Sequence, residues 1–361
     1  MATTTLNFGK TVSLEQAAQI IARTPKNRFL IRGEPGIGKS TLLKRIGQIA
    51  SEITGTSYLT TYCDVANMDL GDVAMPVIDH EAKVTRYYPS SRFRITEGRP
   101  VVIMLDEFTK GNDPVKNMLH PLLEVTQPRL GDLPLPEECI VVMTGNLTSD
   151  GVGDNLKAHS RNRITNINIA KPTDEEWINW GMNNGIDSSV LAWVKAFPHS
   201  MASYTDGNQD DNLYIYNPKR QQACFVSPRS LELASNIIKN RAYIEDNTFV
   251  ASLIGTIGEA AARDMEAYIA YQDELPAWEN ITKNPDTAPV PDSPGACSVL
   301  VFGAVTKVEK DTMTSFMKYL ERLPSEWQAA FAVSIMKGPK QSVAMSNRAW
   351  TDWVRENNDI L

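Results

Sequence analysis

Residues 28–49 read RFLIRGEPGIGKSTLLKRIGQI, and the change of period inside this stretch decides the fold. The apolar run from Arg28 to Arg32 has the length of a buried strand. It breaks into a glycine-rich turn. Apolar residues then return at Leu42, Leu43, Ile46 and Ile49, the spacing of one helix face. Between strand and helix, Gly33, Gly38, Lys39 and Ser40 fit G-x-x-x-x-G-K-[ST], and Thr41 follows. Each residue type has a task. Glycines let backbone N–H groups turn inward around phosphate oxygens. The Lys39 ammonium would reach the β- and γ-phosphates, and the Ser40 hydroxyl would ligand Mg²⁺. The loop Gly33, Glu34, Pro35, Gly36, Ile37, Gly38, Lys39, Ser40 and Thr41 is therefore expected to bind a nucleoside triphosphate. A chance glycine turn would not need a strand before it and a helix after it; this one has both.

The whole chain sets bounds on that reading. Its 361 residues exceed the size at which one core keeps growing, so two or three domains are expected. A hydrophobic fraction of 42% and a charged fraction of 22% are ordinary for a soluble globular protein. The net charge of −7 argues against bulk nucleic acid as the main partner, while leaving room for a local basic pore. Cys63, Cys139, Cys224 and Cys297 are far apart and form no C-x-x-C pair, which suits a reducing cytoplasm. The opening MATTTLNFGK has no apolar signal core, and no apolar run approaches membrane-spanning length. The expectation is a cytoplasmic chain with no membrane partner.

In chain order, residues 1–10 are polar and expected to be loose. Ser13, with Gln16 three later, opens a helix with a capping-box pattern. Its apolar stripe is Leu14, Ala17, Ile20 and Ile21. Such a helix packs either near the nucleotide base or simply against the sheet. SYLTTYC at 57–63 is the second strand. The polar stretch to about residue 100, with LGDVAMPVID and RYYPSSRF, is too long for a bare loop and must hold short elements.

VVIMLDE at 101–107 is the second strong signal. Five apolar residues in a row suit a strand buried on both faces. Two carboxylates follow at its C-terminal tip, where open α/β sheets bind ligands. Asp106 would hold Mg²⁺ through water, and Glu107 would act as general base on the attacking water. Asp113 and Pro114 then start a helix as N-cap and first residue, and Pro121 predicts its kink or early end. CIVVMT at 139–144 is a further strand. Asn146, just past its tip, could orient the attacking water. Ile164, Ile167 and Ile169 mark a fifth strand, preceded by Arg161 and Arg163. In a ring of subunits this place faces the neighbour's γ-phosphate, where a guanidinium would stabilise developing charge. Arg163 is favoured because it directly precedes the strand, and Arg161 stays open.

From Pro172 the pattern turns helical. TDEEWINWGMNNG and DSSVLAWVKAFP read as capped amphipathic helices. Residues 201–223 form a polar loop. SPRSLELASNIIKN opens another helix, with Ser227 as cap and Pro228 first. Arg229 in its first turn opposes the helix dipole. A broken local rule of this kind marks a functional candidate, here a cation that reports the γ-phosphate. Residues 248–273 read as one long helical stretch. WENITKNPDTAPVPDSPG is a proline-rich strap, and a helical tail follows from about 298.

The order GEPGIGKST, VVIMLDE, VVMTGN, SRNRI, SPRS resembles Walker A, Walker B, sensor 1, arginine finger and sensor 2 of the AAA+ ATPases. Ser-Pro-Arg in sensor 2 and the hairpin-like insert PRLGDLPLPEECIVV look like the MoxR branch. The tail, with IGEAAARD and LPSEWQAAF, resembles a bacterial and phage subgroup. The resemblance covers residues 12–245 well and the tail loosely. It implies a five-stranded parallel P-loop α/β sheet with a helical lid and an additional helical C-terminal region. The divisions would be 1–171 for the nucleotide domain, 172–273 for the lid and 274–361 for strap and tail. It implies ATP and Mg²⁺ as cofactors, and a homo-oligomeric ring, often a hexamer. It also implies chaperone-like remodelling of a protein partner, often one with a von Willebrand factor A domain. The chain departs from the pattern in its short insert, in Pro121, and in Arg-Ile where the finger usually reads Arg-Phe.

Two other classes compete. A nucleic-acid motor would share the nucleotide site, but the acidic charge and the lack of a nucleic-acid module disfavour it. A slow nucleotide-gated switch would differ in turnover alone. No N/T-K-x-D guanine motif follows the acidic strand, which sets the chain apart from small GTPases.

Overall fold

The computed structural model describes residues 10–147 and 162–357, in two compact units, Met1–Lys171 and Pro172–Leu361. The first unit is built on a parallel sheet. Its strands are β1 (Thr11–Val12), β2 (Phe29–Arg32), β3 (Leu59–Asp64), β6 (Val101–Asp106), β9 (Ile140–Gly145) and β10 (Thr165–Ile169), in the order β1-β10-β2-β9-β6-β3. Two antiparallel hairpins lie outside it: β4 (Ala74–Asp79) with β5 (Val84–Pro89), and β7 (Arg129–Leu130) with β8 (Leu133–Pro134).

The sheet has six strands where the sequence predicts five. The extra one is β1, whose Thr11 and Val12 pair with Asn168 and Ile169. Two residues are too short to show a period-2 pattern, so only the exposed edge of β10 creates this strand.

Alternation along each strand divides the core into two layers. Phe29, Ile31, Val102, Met104, Ile140 and Val142 pack with helices α1 (Leu14–Arg23) and α2 (Leu42–Thr54). Leu30, Ile103, Leu105, Val141 and Met143 face the other way, toward α3 (Leu70–Val73) and α4 (Asp113–Leu119). The capping box on α1 is formed: Gln16 N–H donates to Ser13 Oγ at 3.2 Å and Ser13 N–H donates to Gln16 Oε1 at 3.0 Å. Its buried stripe is Ala17, Ala18, Ile21 and Ala22, while Ile20 is 43% exposed. The stripe is rotated from the predicted one because small alanines let the helix lie close to the sheet.

Helix α4 is capped by Asn112, whose side chain accepts from Val115 N–H at 3.0 Å, and Asp113 is its first residue. The predicted early end at Pro121 is found: α4 stops at Leu119, and the 3₁₀ turn His120–Leu123 follows. Arg28, only 3% exposed, pins that turn. Its guanidinium donates to the carbonyls of Leu122 (2.8 Å), Pro25 and Lys26 (3.1 Å each) and Glu124 (3.4 Å).

The long polar stretch before β6 holds α3 and the first hairpin. Met75, Val77, Ile78, Val84, Tyr87 and Tyr88 are all exposed on it. The second hairpin clasps the first. Tyr87 N–H donates to Asp132 Oδ2 at 2.7 Å, and Asp132 N–H donates to the Tyr87 carbonyl at 2.9 Å. Gly131, at φ +56°, lets the two backbones meet.

The second unit is helical. Its helices are α5 (Asp174–Asn183), α6 (Ser188–Ala196), α7 (Pro228–Lys239), α8 (Asp246–Ile257), α9 (Glu259–Glu274), α10 (Trp278–Lys283), α11 (Pro294–Lys307), α12 (Met313–Leu320), α13 (Ser325–Lys337), α14 (Gln341–Met345) and α15 (Arg348–Glu356). One apolar cluster runs through it, from Trp177 to Trp353. The predicted long helix over 248–273 is two helices, broken at Gly258, whose φ is +89°. The strap is shorter than its prolines suggest, since Ser293 caps α11 and Pro294 is that helix's first residue. No helix among the described residues is long and apolar enough to cross a membrane.

Gly131→Ala tests the clasp. An added Cβ would lie 2.3 Å from the Tyr87 carbonyl oxygen, at a φ that side chains disfavour. The expected cost is about 1–3 kcal/mol, confined to the hairpins. Amide exchange across 74–89 and 129–134 should speed up while the helical unit keeps its protection.

Candidate nucleotide site

Parallel pairing brings the strand tips to one edge of the sheet. Arg32 at the end of β2 pairs with Gly145 in β9. Leu105 in β6 pairs with Met143, so Asp106 lies beside Thr144. Asp64 at the end of β3 pairs with Asp106. The phosphate loop, both carboxylates of the acidic strand and Asn146 all leave this edge, where α/β sheets place their ligands.

The loop turns at Gly36 (φ +78°) and Gly38 (φ +96°), conformations that side-chain-bearing residues adopt only at a cost. Gly33 is needed for packing, because a Cβ there would lie 2.4 Å from Ile37 Cδ1. Ile37 is buried, Glu34 is buried too, and Pro35 and Ser40 are half-buried. The Lys39 ammonium donates to the carbonyls of Gly33 (2.7 Å) and Glu34 (2.9 Å). Thr41 Oγ1 donates to the Gly38 carbonyl at 2.7 Å, holding the first turn before α2.

Asp106 is engaged at both oxygens. Thr144 Oγ1 donates to Oδ1, and Tyr62 Oη donates to Oδ2 at 2.5 Å. Burial pushes the Tyr62 phenol well above its usual range, and the hydrogen bond to Asp106 and that carboxylate's charge push it further. Thr144 Oγ1 also accepts the Glu107 N–H at 3.1 Å. Glu107 has φ +49°, the left-handed region, which turns the chain sharply off the strand. Its carboxylate pairs with Lys110 Nζ at 2.7 Å.

Arg32, 3% exposed, donates to the Asn146 carbonyl and to Asn166 Oδ1, both at 3.5 Å. It thus joins the tip of β9 to β10. Arg163 pairs with Glu124 at 3.2 Å and lies 3.4 Å from His120 Nε2, both in or beside the 3₁₀ turn that Arg28 pins. Arg161 lies outside the described residues. Arg229 is exposed in the first turn of α7, in the second unit, and Ser227 caps that helix by accepting the Ser230 N–H at 3.1 Å.

The residues at the sheet edge suit a magnesium nucleotide. Ser40 and Asp106 are hard oxygen donors of the kind Mg²⁺ takes. The loop precedes a thirteen-residue helix, whose N-terminus favours anions. Asp64 Oδ1, at the same edge, is buried with no partner among the described residues, while Oδ2 accepts from Asn67 at 2.7 Å.

Residues 28–163 match the family model of the AAA domain, dynein-related subfamily. The matched stretch runs from the residue before β2 to the residue that pairs with Glu124. No curated protein matches the sequence. Among solved structures the chain is similar to NtrX from Brucella abortus in complex with ATP. That match has 12% identity, covers 98% of this chain and 69% of the other, and has a TM-score of 0.37. A second NtrX structure matches at 15% identity over 82% of this chain and 69% of the other, with a TM-score of 0.39. A Cytophaga hutchinsonii protein, provisionally named an ATPase, matches at 13% identity over 69% of this chain and 82% of its own, with a TM-score of 0.33.

Sequence reasoning missed Thr144, Tyr62 and Arg32. Each acts across strands, so nothing in its local pattern marks it. Thr144→Val keeps the shape and removes one donor and one acceptor. The folded chain should lose about 1–3 kcal/mol in urea denaturation.

Proposed function

We propose that the chain is a MoxR-type AAA+ ATPase, assembled as a ring of identical subunits, that uses ATP turnover to remodel a protein partner. The observation that carries this reading is the meeting of the phosphate loop, Asp106, Glu107 and Asn146 at adjacent strand tips of an AAA domain.

In this reading the backbone of Gly33–Thr41 and the Lys39 ammonium hold the phosphates. Ser40 and, through water, Asp106 would hold Mg²⁺, which would supply charge neutralisation on the phosphates. Glu107 takes a proton from the attacking water, and Asn146 orients that water. Arg32 serves the second task indirectly by fixing the Asn146 backbone. Arg163 acts on the nucleotide of the neighbouring subunit, with Arg161 as the other candidate. Within its own subunit Arg163 pairs with Glu124, so engaging a neighbour's phosphate means exchanging a carboxylate for a stronger anion. Arg229 reports the γ-phosphate from a lid of residues 172–273, and 274–361 form the proline-rich strap and C-terminal helical region. The ring is a hexamer of cytoplasmic subunits, and the partner carries a von Willebrand factor A domain.

The exposed apolar hairpin of β4 and β5 supports a protein partner over nucleic acid. Met75, Val77, Ile78 and Val84 offer no charge to phosphates, and the whole chain carries −7.

Glu107→Gln should retain ATP binding and lose at least about a hundredfold in hydrolysis, the scale of a general base. Undiminished turnover in that variant would remove Glu107 from its role, and salt-sensitive stimulation by DNA would favour the motor reading. The variant held in ATP is also the bait of choice for the partner. Trans action has its own test. Arg163→Ala subunits mixed with Lys39→Ala subunits should regain hydrolysis at mixed interfaces, and silence in rings shown to be mixed would exclude Arg163.

A further inference from the structure

We infer that Tyr62 is a positioning residue for the magnesium site: its hydroxyl and that of Thr144 clamp the Asp106 carboxylate from both sides. The inference rests on the nucleotide-site reading above and names a residue that neither the phosphate-loop pattern nor the acidic-strand pattern includes.

Topology puts the tyrosine there. Asp64 and Asp106 are paired in parallel register, and Tyr62 lies two residues before Asp64 on β3. It therefore shares a sheet face with Asp106. The ring is 48% exposed, so the hydroxyl could be hydrated. Instead it donates to Asp106 Oδ2 at 2.5 Å, while Thr144 donates to Oδ1. A carboxylate has about four acceptor positions. One hydroxyl on each oxygen fixes the carboxylate plane and leaves the other positions for metal-bound water. With Thr144 alone, the carboxylate could turn about the broad terminal torsion of aspartate. Partners that orient metal-holding groups in this way set metal affinity.

The predicted consequence is selective. Tyr62 would matter for the Mg²⁺ dependence of nucleotide binding and not for the fold or for phosphate capture by the loop. Tyr62→Phe in the full chain removes the hydroxyl and keeps the ring. ATP binding is measured by calorimetry in EDTA and across a magnesium chloride titration, and thermal melting is followed in parallel. In EDTA, binding and melting should match wild type. The Mg²⁺ concentration that gives half of the magnesium effect should rise about threefold to tenfold, below the roughly 10–100-fold seen when partners of direct metal ligands are removed. In an Asp106→Asn background, Tyr62→Phe should add nothing, because its target is gone.

An unchanged magnesium titration in Tyr62→Phe would overturn the inference. So would equal weakening with and without magnesium, or a full further loss on top of Asp106→Asn. Failure of the underlying reading looks different: wild-type protein would then bind ATP no better than Lys39→Ala under any condition, and the role of Tyr62 would fall with it.

Discussion

One hydroxyl spans the two strands on which the site depends. Thr144 Oγ1 donates to Asp106 and accepts the Glu107 N–H, so β9 fixes the acidic pair at the tip of β6. Such a contact requires β6 and β9 to be adjacent, parallel and in a defined register. A slip of one residue would turn Thr144 to the other sheet face. The alternating apolar sets on the two faces prevent that slip. Val141 and Met143 belong to one layer, and Ile140 and Val142 to the other. The chemistry at the tips is therefore set by packing along the strands.

This explains which parts could be read from sequence. The phosphate loop is local: its glycines, its lysine and the change of period lie within 22 residues, 28–49. The acidic strand VVIMLDE is local as well. The partners of Asp106 are not. Tyr62 lies 44 residues away and Thr144 38, and a tyrosine in TTYCD carries no mark of its neighbour across the sheet. Thr11–Val12 gives no periodic signal, since an edge strand of two residues is made by its partner. The β4–β5 hairpin hides for another reason. Periodic alternation requires one buried face, and from Met75 to Ile78 its residues are all exposed. At the start of α4, Asn112 and Asp113 are both good caps, and composition cannot choose between them. Gly258 was visible as a glycine, but its positive φ was not.

Buried arginines tie both ends of β2 to their surroundings. Arg28 immediately precedes β2 and Arg32 ends it, and each is almost fully buried. Burial of a guanidinium is tolerated only where its donors are satisfied. Arg28 meets this demand with four main-chain carbonyls, two of them from residues 122 and 124. Arg32 reaches the carbonyl of Asn146 and the side chain of Asn166. The strand that leads into the phosphate loop is thereby tied to the turn before the second hairpin, to the tip of β9 and to β10.

These ties link Arg163 to the rest of the domain. Its partners His120 and Glu124 belong to the turn that Arg28 pins, and that turn exists because Pro121 cannot continue α4. Pro121 is therefore part of what places the carboxylate opposite Arg163. An arginine held by one half-exposed carboxylate gains little net free energy from it, on the order of 0–1 kcal/mol. A pair that weak orders the guanidinium without trapping it. In the ring proposed above, a polyanion at the subunit boundary would compete readily for the same side chain, and the Glu124 pair is compatible with a finger aligned before a neighbour arrives.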